Sequence, residues 1–503
     1  MLTQSDVKSL TLSDFKHIFE NYHHLFPTTP MTHQYASILW AMIDRTEGMF
    51  LHGIGTGKTL ASLYTTEIWR CNRILVVSPT SVMKTWKDQI QEHTKYTYAL
   101  LNGTGEQRRA KIKNDFSKFH IINYEGLKTV FGKKTPVTKR GKVTGSRFVP
   151  DINAICLTEY DALIFDECHR LANFDSLQTK ISYRLGHHVQ KILMLTGTPM
   201  AKDIRDFWSE LMVLNDGETL GDDPFVFKHT YMKQFEMSAR GNKFAQWYPK
   251  PDAIETIVEK ISHVAIRYDT AECCDLPDLV EEKRHVDMSE EQKKATKAIL
   301  GDLKAQLEMG HLDVKNVINK ASKLAQVGSG MLIGDEGEVT YLKSNPKIDE
   351  LISLIHNEIP GKCIIYHNFV AVGRMIEERF RKANIKFRSC RGETKNKEKQ
   401  IDDFQHNDDV RALIAHPQSG GEGLNLQMAH VVVFLDQIYA GSTLREQCIG
   451  RVWRKGQELT CVIIDLMIND PVSHQESIDD RIHASAITKK DLAKSILDWI
   501  RDL

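Results

Sequence analysis

The sequence predicts an α/β protein of two lobes, each a parallel sheet flanked by helices, with helical inserts between and beside them. Three observations predict it. Short apolar runs bounded by turn residues recur through the first half of the chain, helix-forming stretches separate most of them, and a second series of the same kind opens at Lys362. The chain has 503 residues, room for roughly two to four domains with cores of their own.

The first series reads Met49 to Leu51, RILVVSP (Arg73 to Pro79), FHIINY (Phe119 to Tyr124), DALIFDE (Asp161 to Glu167) and KILMLTGTP (Lys191 to Pro199), with helices predicted over stretches such as Leu60 to Arg70 and Val82 to Glu92. The second series reads KCIIYHN (Lys362 to Asn368), RALIAHP (Arg411 to Pro417), HVVVFLD (His430 to Asp436) and CVIIDLM (Cys461 to Met467). Near-continuous apolar strands of this kind are buried on both faces, which is the setting of a parallel sheet. Between the two series, Ser289 to Ala325 is rich in helix formers and charge and opens on a serine followed by carboxylates. The expected domain map is an N-terminal extension over 1–30, a first lobe over 31–275, a helical connector over 276–345, a second lobe over 346–475 and a C-terminal helical segment over 476–503.

Composition excludes little. Hydrophobic residues are 41% and charged residues 26% of the chain, and 66 Lys plus Arg balance 66 Asp plus Glu, so no overall cationic field draws nucleic acid. A local basic cleft remains compatible with that balance. The nine cysteines contain no C-x-x-C pair, which argues against zinc and against a disulfide framework and suits a reducing cytoplasm. No signal peptide is read at the N-terminus and no run of 18 apolar residues occurs, so no membrane association is expected.

The chemistry begins at HGIGTGKT, His52, Gly53, Ile54, Gly55, Thr56, Gly57, Lys58 and Thr59. The pattern is that of a phosphate-binding loop, G-x-x-x-x-G-K-S/T, with a histidine where the first glycine belongs. A short apolar strand enters the loop and a helix-forming stretch leaves it, as the motif requires. Gly55 and Gly57 permit the tight turn, Lys58 would reach the β- and γ-phosphates of a nucleotide, and Thr59 would bind Mg²⁺. Such a site needs carboxylates as well. Asp166 and Glu167, in DECH, follow directly on an apolar strand, where open α/β sheets place ligands. Asp166 is the expected second Mg²⁺ ligand and Glu167 the group that orients or activates water. The competing reading of two acids after a strand is a polar turn or helix cap.

DECHRLANF and LTGTP (Leu195 to Pro199) resemble motifs II and III of the superfamily two helicases, and more narrowly the Swi/Snf-type ATPases, with His169, Arg170 and Asn173 matching the residues after the acid pair. In that family the position of His52 is often acidic. MTHQYASILW resembles the segment ahead of the phosphate loop, so Gln34 is implied to read the adenine edge. SPTSVMKTW resembles motif Ia, which lies along nucleic acid in the family, and implies phosphate contacts from Thr80 and Ser81, although Ser81 equally suits a helix cap. Lys202 stands where the family often carries Asn. QSGGEGLNLQMAHVVVFLD (Gln418 to Asp436) resembles motif V, which brings in Gly421, and EQCIGRVWRKGQ (Glu446 to Gln457) resembles motif VI in its Swi/Snf form. On a helix Arg451 and Arg454, three apart, share a face and would both point at a γ-phosphate. His169, Thr196, Thr198 and Gln447 are implied as residues that couple the ATP site to movement.

The resemblance runs from about Gln34 to Gln457, and its wording is nearest the compact phage and prophage Swi/Snf-like helicases. It implies two RecA-like lobes, ATP and Mg²⁺ as ligands, DNA, duplex or branched, as partner, and the cytoplasm, a bacterial host's if phage-encoded, as location; a monomer is compatible with it. The implied function is an ATP-dependent DNA translocase or helicase. An RNA helicase shares the engine, and an inactive nucleic-acid-binding module shares the fold. A nuclease reading of PDLVEEK fails because only two residues separate Asp278 from Glu281. One segment stands outside these motifs. Gly132 to Pro150, GKKTPVTKRGKVTGSRFVP, carries six Lys or Arg and no acid, and reads either as a solvated surface loop or as a loop that touches phosphates.

Overall fold

From the N-terminus the strands are β1 (Glu47–His52), β2 (Ile74–Ser78), β3 (Tyr98–Leu100), β4 (Phe119–Asn123), the hairpin β5 (Gly132–Lys139) and β6 (Lys142–Pro150), β7 (Ala162–Asp166), β8 (Lys191–Leu195), the ribbon β9 (Met232–Ala239) and β10 (Asn242–Pro249), and β11 (Ala265–Tyr268). Seven of them form one sheet in the order β11-β1-β8-β7-β2-β4-β3, with every pairing parallel. This computed structural model describes all residues except 1–2, 44, 140–141, 157, 198–203, 240–241, 274, 309–313, 335, 395, 421–425, 438–441, 470–476 and 489–503. The chain divides into two units, residues 1–237 with 243–274, and residues 238–242 with 275–503.

The sheet of unit 1 is buried on both faces because its strands are apolar at odd and even positions alike. Met49, Leu51, Leu75, Val77, Leu163 and Phe165 join one core, while Phe50, Ile74, Val76, Ile121, Ile164 and Leu193 join the other. Helices such as Lys58–Ile68, Met83–His93 and Leu177–Gly186 link the strands. The N-terminal stretch, set apart in the sequence reading, belongs to this unit. Val7, Phe15, Phe19 and Phe26 are buried in the second core with Tyr35 and Tyr64, and Gln4 exchanges hydrogen bonds with the backbone of Arg267 on the edge strand β11.

Unit 2 has β12 (Leu279–Asp287), a small antiparallel pair β13 (Met331–Ile333) and β14 (Val339–Tyr341), β15 (Cys363–Tyr366), β16 (Phe387–Cys390), β17 (Ala412–Ala415), β18 (Val431–Phe434) and β19 (Cys461–Asn469). Its six-stranded sheet runs β12-β19-β18-β15-β17-β16, all parallel. Here too alternate residues enter opposite cores: Ile365, Ile414 and Val433 on one side, Ile364, Leu413 and Val432 on the other. The expected connector over 276–345 is not wholly helical. It opens with β12, whose charged sequence LVEEKRHVD disguises a strand that pairs on one edge only, and the helices Glu290–Glu308 and Val314–Gly328 follow. The basic segment Gly132 to Pro150, expected as a loop, is a paired hairpin. None of the described helices is long and apolar enough to cross a membrane.

Candidate active site

β1 ends at His52, whose imidazole is fully buried. Its Nε2 lies 2.8 Å from the Ser37 hydroxyl and its ring stacks on Phe50 at 5.3 Å. Burial, with the charge of Lys58 nearby, pushes this imidazole well below its ordinary range, so the residue where the motif lacks a glycine is a neutral packing group at the entry to the loop. The His52 carbonyl faces inward and accepts Lys58 Nζ at 2.9 Å, which also reaches Gly53 O at 3.1 Å. Gly55 (φ 80) and Gly57 (φ 76) adopt the left-handed backbone that carries the chain around the turn. A Cβ at Gly57 would collide with Gln34 Nε2, and one at Gly53 with Thr270, so both glycines also admit close neighbours.

Gln34 grips this loop. Its Oε1 accepts the Met31 N–H at 2.8 Å, and its Nε2 donates to the carbonyls of Thr56 and Gly57 at 3.2 Å each. The amide assigned to the adenine edge is thus engaged with the loop itself. A cavity of about 500 Å³ bordered by Lys8, Met31, His33 and Tyr268 lies beside the clasp, within the size range of small-ligand sites. The helix Lys58–Ile68 starts at Lys58, with Gly57 at its N-cap position, which puts Thr59 and the N–H groups of the first turn at the loop.

β1, β8, β7 and β2 are neighbours, so the loop after β1 shares one sheet edge with the carboxyl ends of the other three. Asp166 ends β7 and is nearly fully buried. Its Oδ2 accepts Trp86 Nε1 at 2.8 Å, its Oδ1 accepts the Glu167 N–H at 3.1 Å, and its carbonyl accepts the Tyr124 hydroxyl at 2.9 Å. Burial, with the Glu167 charge adjacent, raises the Asp166 carboxyl above the usual carboxylate range, while Lys58 acts in the opposite sense. Glu167 has φ 54, a left-handed conformation that costs a non-glycine residue about 1–2 kcal/mol. Its carboxylate is 3.2 Å from His169 Nδ1, which is 3.4 Å from the hydroxyl of Thr196 just after β8. Burial opposes a charge on His169, but its hydrogen bond and ion pair with Glu167 prevail and raise the imidazole. Behind this group Cys168 Sγ lies 3.4 Å from Glu210 Oε2, and burial pushes the Glu210 carboxyl up to about 8.

Thr80 and Ser81 are exposed just beyond β2, and Thr80 Oγ1 accepts Asn123 Nδ2 at 3.0 Å. Gly421, Thr198 and Lys202 lie outside the described residues.

In unit 2 the helix Ser442–Ile449 stops before the two arginines. They do not share a helical face, as the spacing led one to expect. A run of turns carries them: the Arg451 carbonyl accepts the Leu426 N–H at 3.0 Å instead of continuing a helix, and Gly456 (φ 93) closes the segment. Gln457 fixes that segment, with Nε2 donating to the carbonyls of Gln427 and Ala429 at 2.9 and 3.0 Å and Oε1 accepting from the backbone of Glu458 and Leu459. Burial and the like charge of Arg451 pull Arg454 down to about 10, still cationic at neutral pH. Gln447 and Arg451 are buried. Sequence reasoning did not single out Trp86, Tyr124, Ser37 or Thr270, because an aromatic or hydroxyl residue at an apolar position reads as core until its polar atom is seen to have a partner.

Two family models match the chain: the SNF2-related domain over residues 33–331 and the helicase conserved C-terminal domain over residues 346–456. The first alone spans more than half of the sequence. The chain belongs to the SNF2-related family. Its parallel sheets are the two RecA-like lobes of a Swi/Snf-type ATPase in helicase superfamily two, and the motifs read from the sequence fall within the matched spans apart from Met31, Thr32 and Gln457 at their margins. Among its relatives is a protein of the Acyrthosiphon pisum secondary endosymbiont phage 1, 24% identical over 79% of this chain and 83% of its own length. The DNA repair and recombination protein RAD54-like of Danio rerio is 23% identical over 90% of this chain, which spans 63% of that relative's length. A solved Sulfolobus solfataricus SWI2/SNF2 ATPase core in complex with dsDNA aligns at a TM-score of 0.42 and 20% identity, covering 92% of each chain.

Proposed function

We propose that this SNF2-related ATPase is DNA-dependent and couples ATP hydrolysis to movement along duplex or branched DNA. The observation that carries the ATPase half is the position of Lys58, whose ammonium rests on the His52 and Gly53 carbonyls inside a loop that shares one sheet edge with Asp166 and Glu167. The DNA half is supported by the exposed Thr80 and Ser81 beyond that edge and by a relative named for DNA repair and recombination.

The residues present fit ATP and Mg²⁺. The loop turns at two left-handed glycines, so its backbone amides can line a phosphate cradle, and Thr59 and Asp166 are the oxygen donors that would hold the ion. Mg²⁺–ATP supplies the transferable phosphoryl group and the metal charge that neutralises it. Lys58, now on the His52 and Gly53 carbonyls, would be the cation that holds the phosphate oxygens. Glu167, held by His169, orients the attacking water and takes its proton, and the His169–Thr196 contact links that carboxylate to the end of β8. Arg451 and Arg454 would supply the positive charge that stabilises the phosphoryl oxygens, a role for which the planar guanidinium is suited. Coupling of this cycle to the grip on DNA moves the protein along the duplex, where it remodels branches or displaces bound proteins.

ATPase assays with duplex DNA, single-stranded DNA and RNA test the reading. The strongest stimulation is expected from duplex DNA, and Lys58→Ala is expected to lose ATP turnover. Strongest stimulation by RNA would replace the substrate class, and undiminished turnover in Lys58→Ala would remove the proposed ATP site. Displacement of a third strand from a triplex, without unwinding of a forked duplex, is the expected signature of duplex translocation.

A further inference from the structure

The hairpin β5–β6 has no place in the ATPase cycle. It is an antiparallel ribbon from Gly132 paired with Pro150 to Lys139 paired with Lys142, with a register shift between Val137 and Thr138. At about 3.3 Å per residue its strands reach roughly 25 Å from their base. Over 132–150 it carries six Lys or Arg and no acid, in a protein whose total charge is zero. Lys134, Arg147 and Phe148 are exposed, with Phe148 at 51%, and the Lys134 ammonium lies over the Phe148 ring. The half-exposed Phe148 ring shares a ribbon face with Lys134, paired opposite it, and Arg147, next to Phe148 in sequence, lies on the other face, so each face of the ribbon carries a cation.

The ribbon is rooted in the site. Helix Tyr124–Phe131 runs straight into β5; at its start Tyr124 holds the Asp166 carbonyl, and the preceding residue, Asn123, holds Thr80. At its base the Asp151 N–H bonds to Phe131 O at 2.7 Å and Lys133 pairs with Asp151 at 3.4 Å, so Lys133 serves the anchor while Lys134 and Arg147 project beyond it.

We infer that this hairpin is a second DNA grip, a two-stranded ribbon that enters the major groove of duplex DNA with Lys134 and Arg147 on the backbone phosphates and Phe148 against the groove. The inference rests on the proposed DNA-dependent function and adds to it the contacting element and the groove. A B-form major groove is about 12 Å wide and admits a two-stranded ribbon, whereas the deep, narrow major groove of duplex RNA does not. The hairpin therefore selects duplex DNA over duplex RNA, and each phosphate it neutralises releases a counterion.

The test compares the full-length wild type with Lys134→Ala/Arg147→Ala and with the charge-retaining Lys134→Arg/Arg147→Lys. The measurements are affinity for duplex DNA and duplex RNA across a salt series, basal ATPase without nucleic acid, and thermal melting. For the alanine pair the slope of log affinity against log salt is expected to shrink by about 1.8, so that the loss of affinity between 50 and 200 mM salt is roughly tenfold smaller than in wild type. Basal ATPase and melting stay at wild-type values, RNA affinity is unchanged, and the charge-retaining pair keeps the wild-type slope. An unchanged slope in the alanine pair, with wild-type DNA binding intact, overturns the hairpin grip and leaves the proposed function standing. An equal loss on RNA overturns insertion in the DNA groove. Absence of DNA binding in the wild type overturns the proposed function itself.

Discussion

At the sheet edge of unit 1, functional side chains are gripped by other side chains. Trp86 holds the Asp166 carboxylate and His169 holds that of Glu167, while Gln34 clasps the phosphate loop through its backbone carbonyls. In unit 2 the grip is on the backbone: Gln457 ties down the carbonyls of Gln427 and Ala429, and Leu426 takes the carbonyl of Arg451. The difference follows from what each group must do. A short carboxylate has little reach, so its direction has to be set by neighbours before a metal or water arrives. An arginine has a long stem and a five-donor fork, so fixing the turn from which it springs is enough to define its range. A substitution beside the carboxylates should therefore alter chemistry directly, while one beside the arginines should act through the fold of the turn.

The largest expected effect breaks the unit 2 side of this comparison. Arg454→Ala should lower DNA-stimulated kcat by about 10³–10⁵-fold, with ATP affinity reduced far less, as read by steady-state turnover beside nucleotide binding. On the unit 1 side, Glu167→Gln keeps the size of the side chain and removes the base, so kcat should fall by about 10²–10⁴-fold while ATP still binds.

A smaller effect separates burial from chemistry. Glu210 is fully buried and its carboxyl rises from an ordinary 4.5 to about 8 in the folded protein. The folded state then holds this proton more tightly than the unfolded chain does, so its contribution to stability is complete below pH 4.5 and is lost as pH climbs through 8. Glu210→Gln removes that dependence and should raise stability by about 2–4 kcal/mol at pH 9 while changing it little at pH 5. Melting curves at the two pH values read the difference, and a variant less stable at both would show that the carboxyl is favourably charged. The smallest effect sharpens the backbone side. Gln457→Ala strands buried carbonyls at about 1–3 kcal/mol, a drop of several degrees in the melting of unit 2, with turnover reduced in proportion to the loss of the folded turn.

Much of this comparison was legible in the sequence, and what was not has a pattern. The central strands β1, β2, β4, β7, β8, β15, β17, β18 and β19 announce themselves as apolar runs because both faces are buried. Within the two large sheets the four strands that escaped notice, β3, β11, β12 and β16, are the edges, and the small ribbons β5–β6, β9–β10 and β13–β14, which join neither sheet, escaped as well. An edge strand pairs on one side only and tolerates charge, as LVEEKRHVD shows. Position in a motif located Lys58, Asp166, Glu167 and the two arginines but not their local geometry. The spacing of Arg451 and Arg454 suits a helix, yet their backbone is committed to turns by contacts with Leu426 and Gln457 that lie far apart in sequence or outside the helical pattern. His52 is a similar case: the irregular start of the phosphate loop is a buried imidazole packed on Phe50 and Ser37, a role no loop pattern encodes.

The most direct test measures ATP binding and duplex-stimulated hydrolysis side by side in wild type, Glu167→Gln and Arg454→Ala. Retained ATP binding with hydrolysis lost in both variants is the result that the proposed roles of Glu167 and Arg454 predict. Hydrolysis at the wild-type rate in either variant would contradict it.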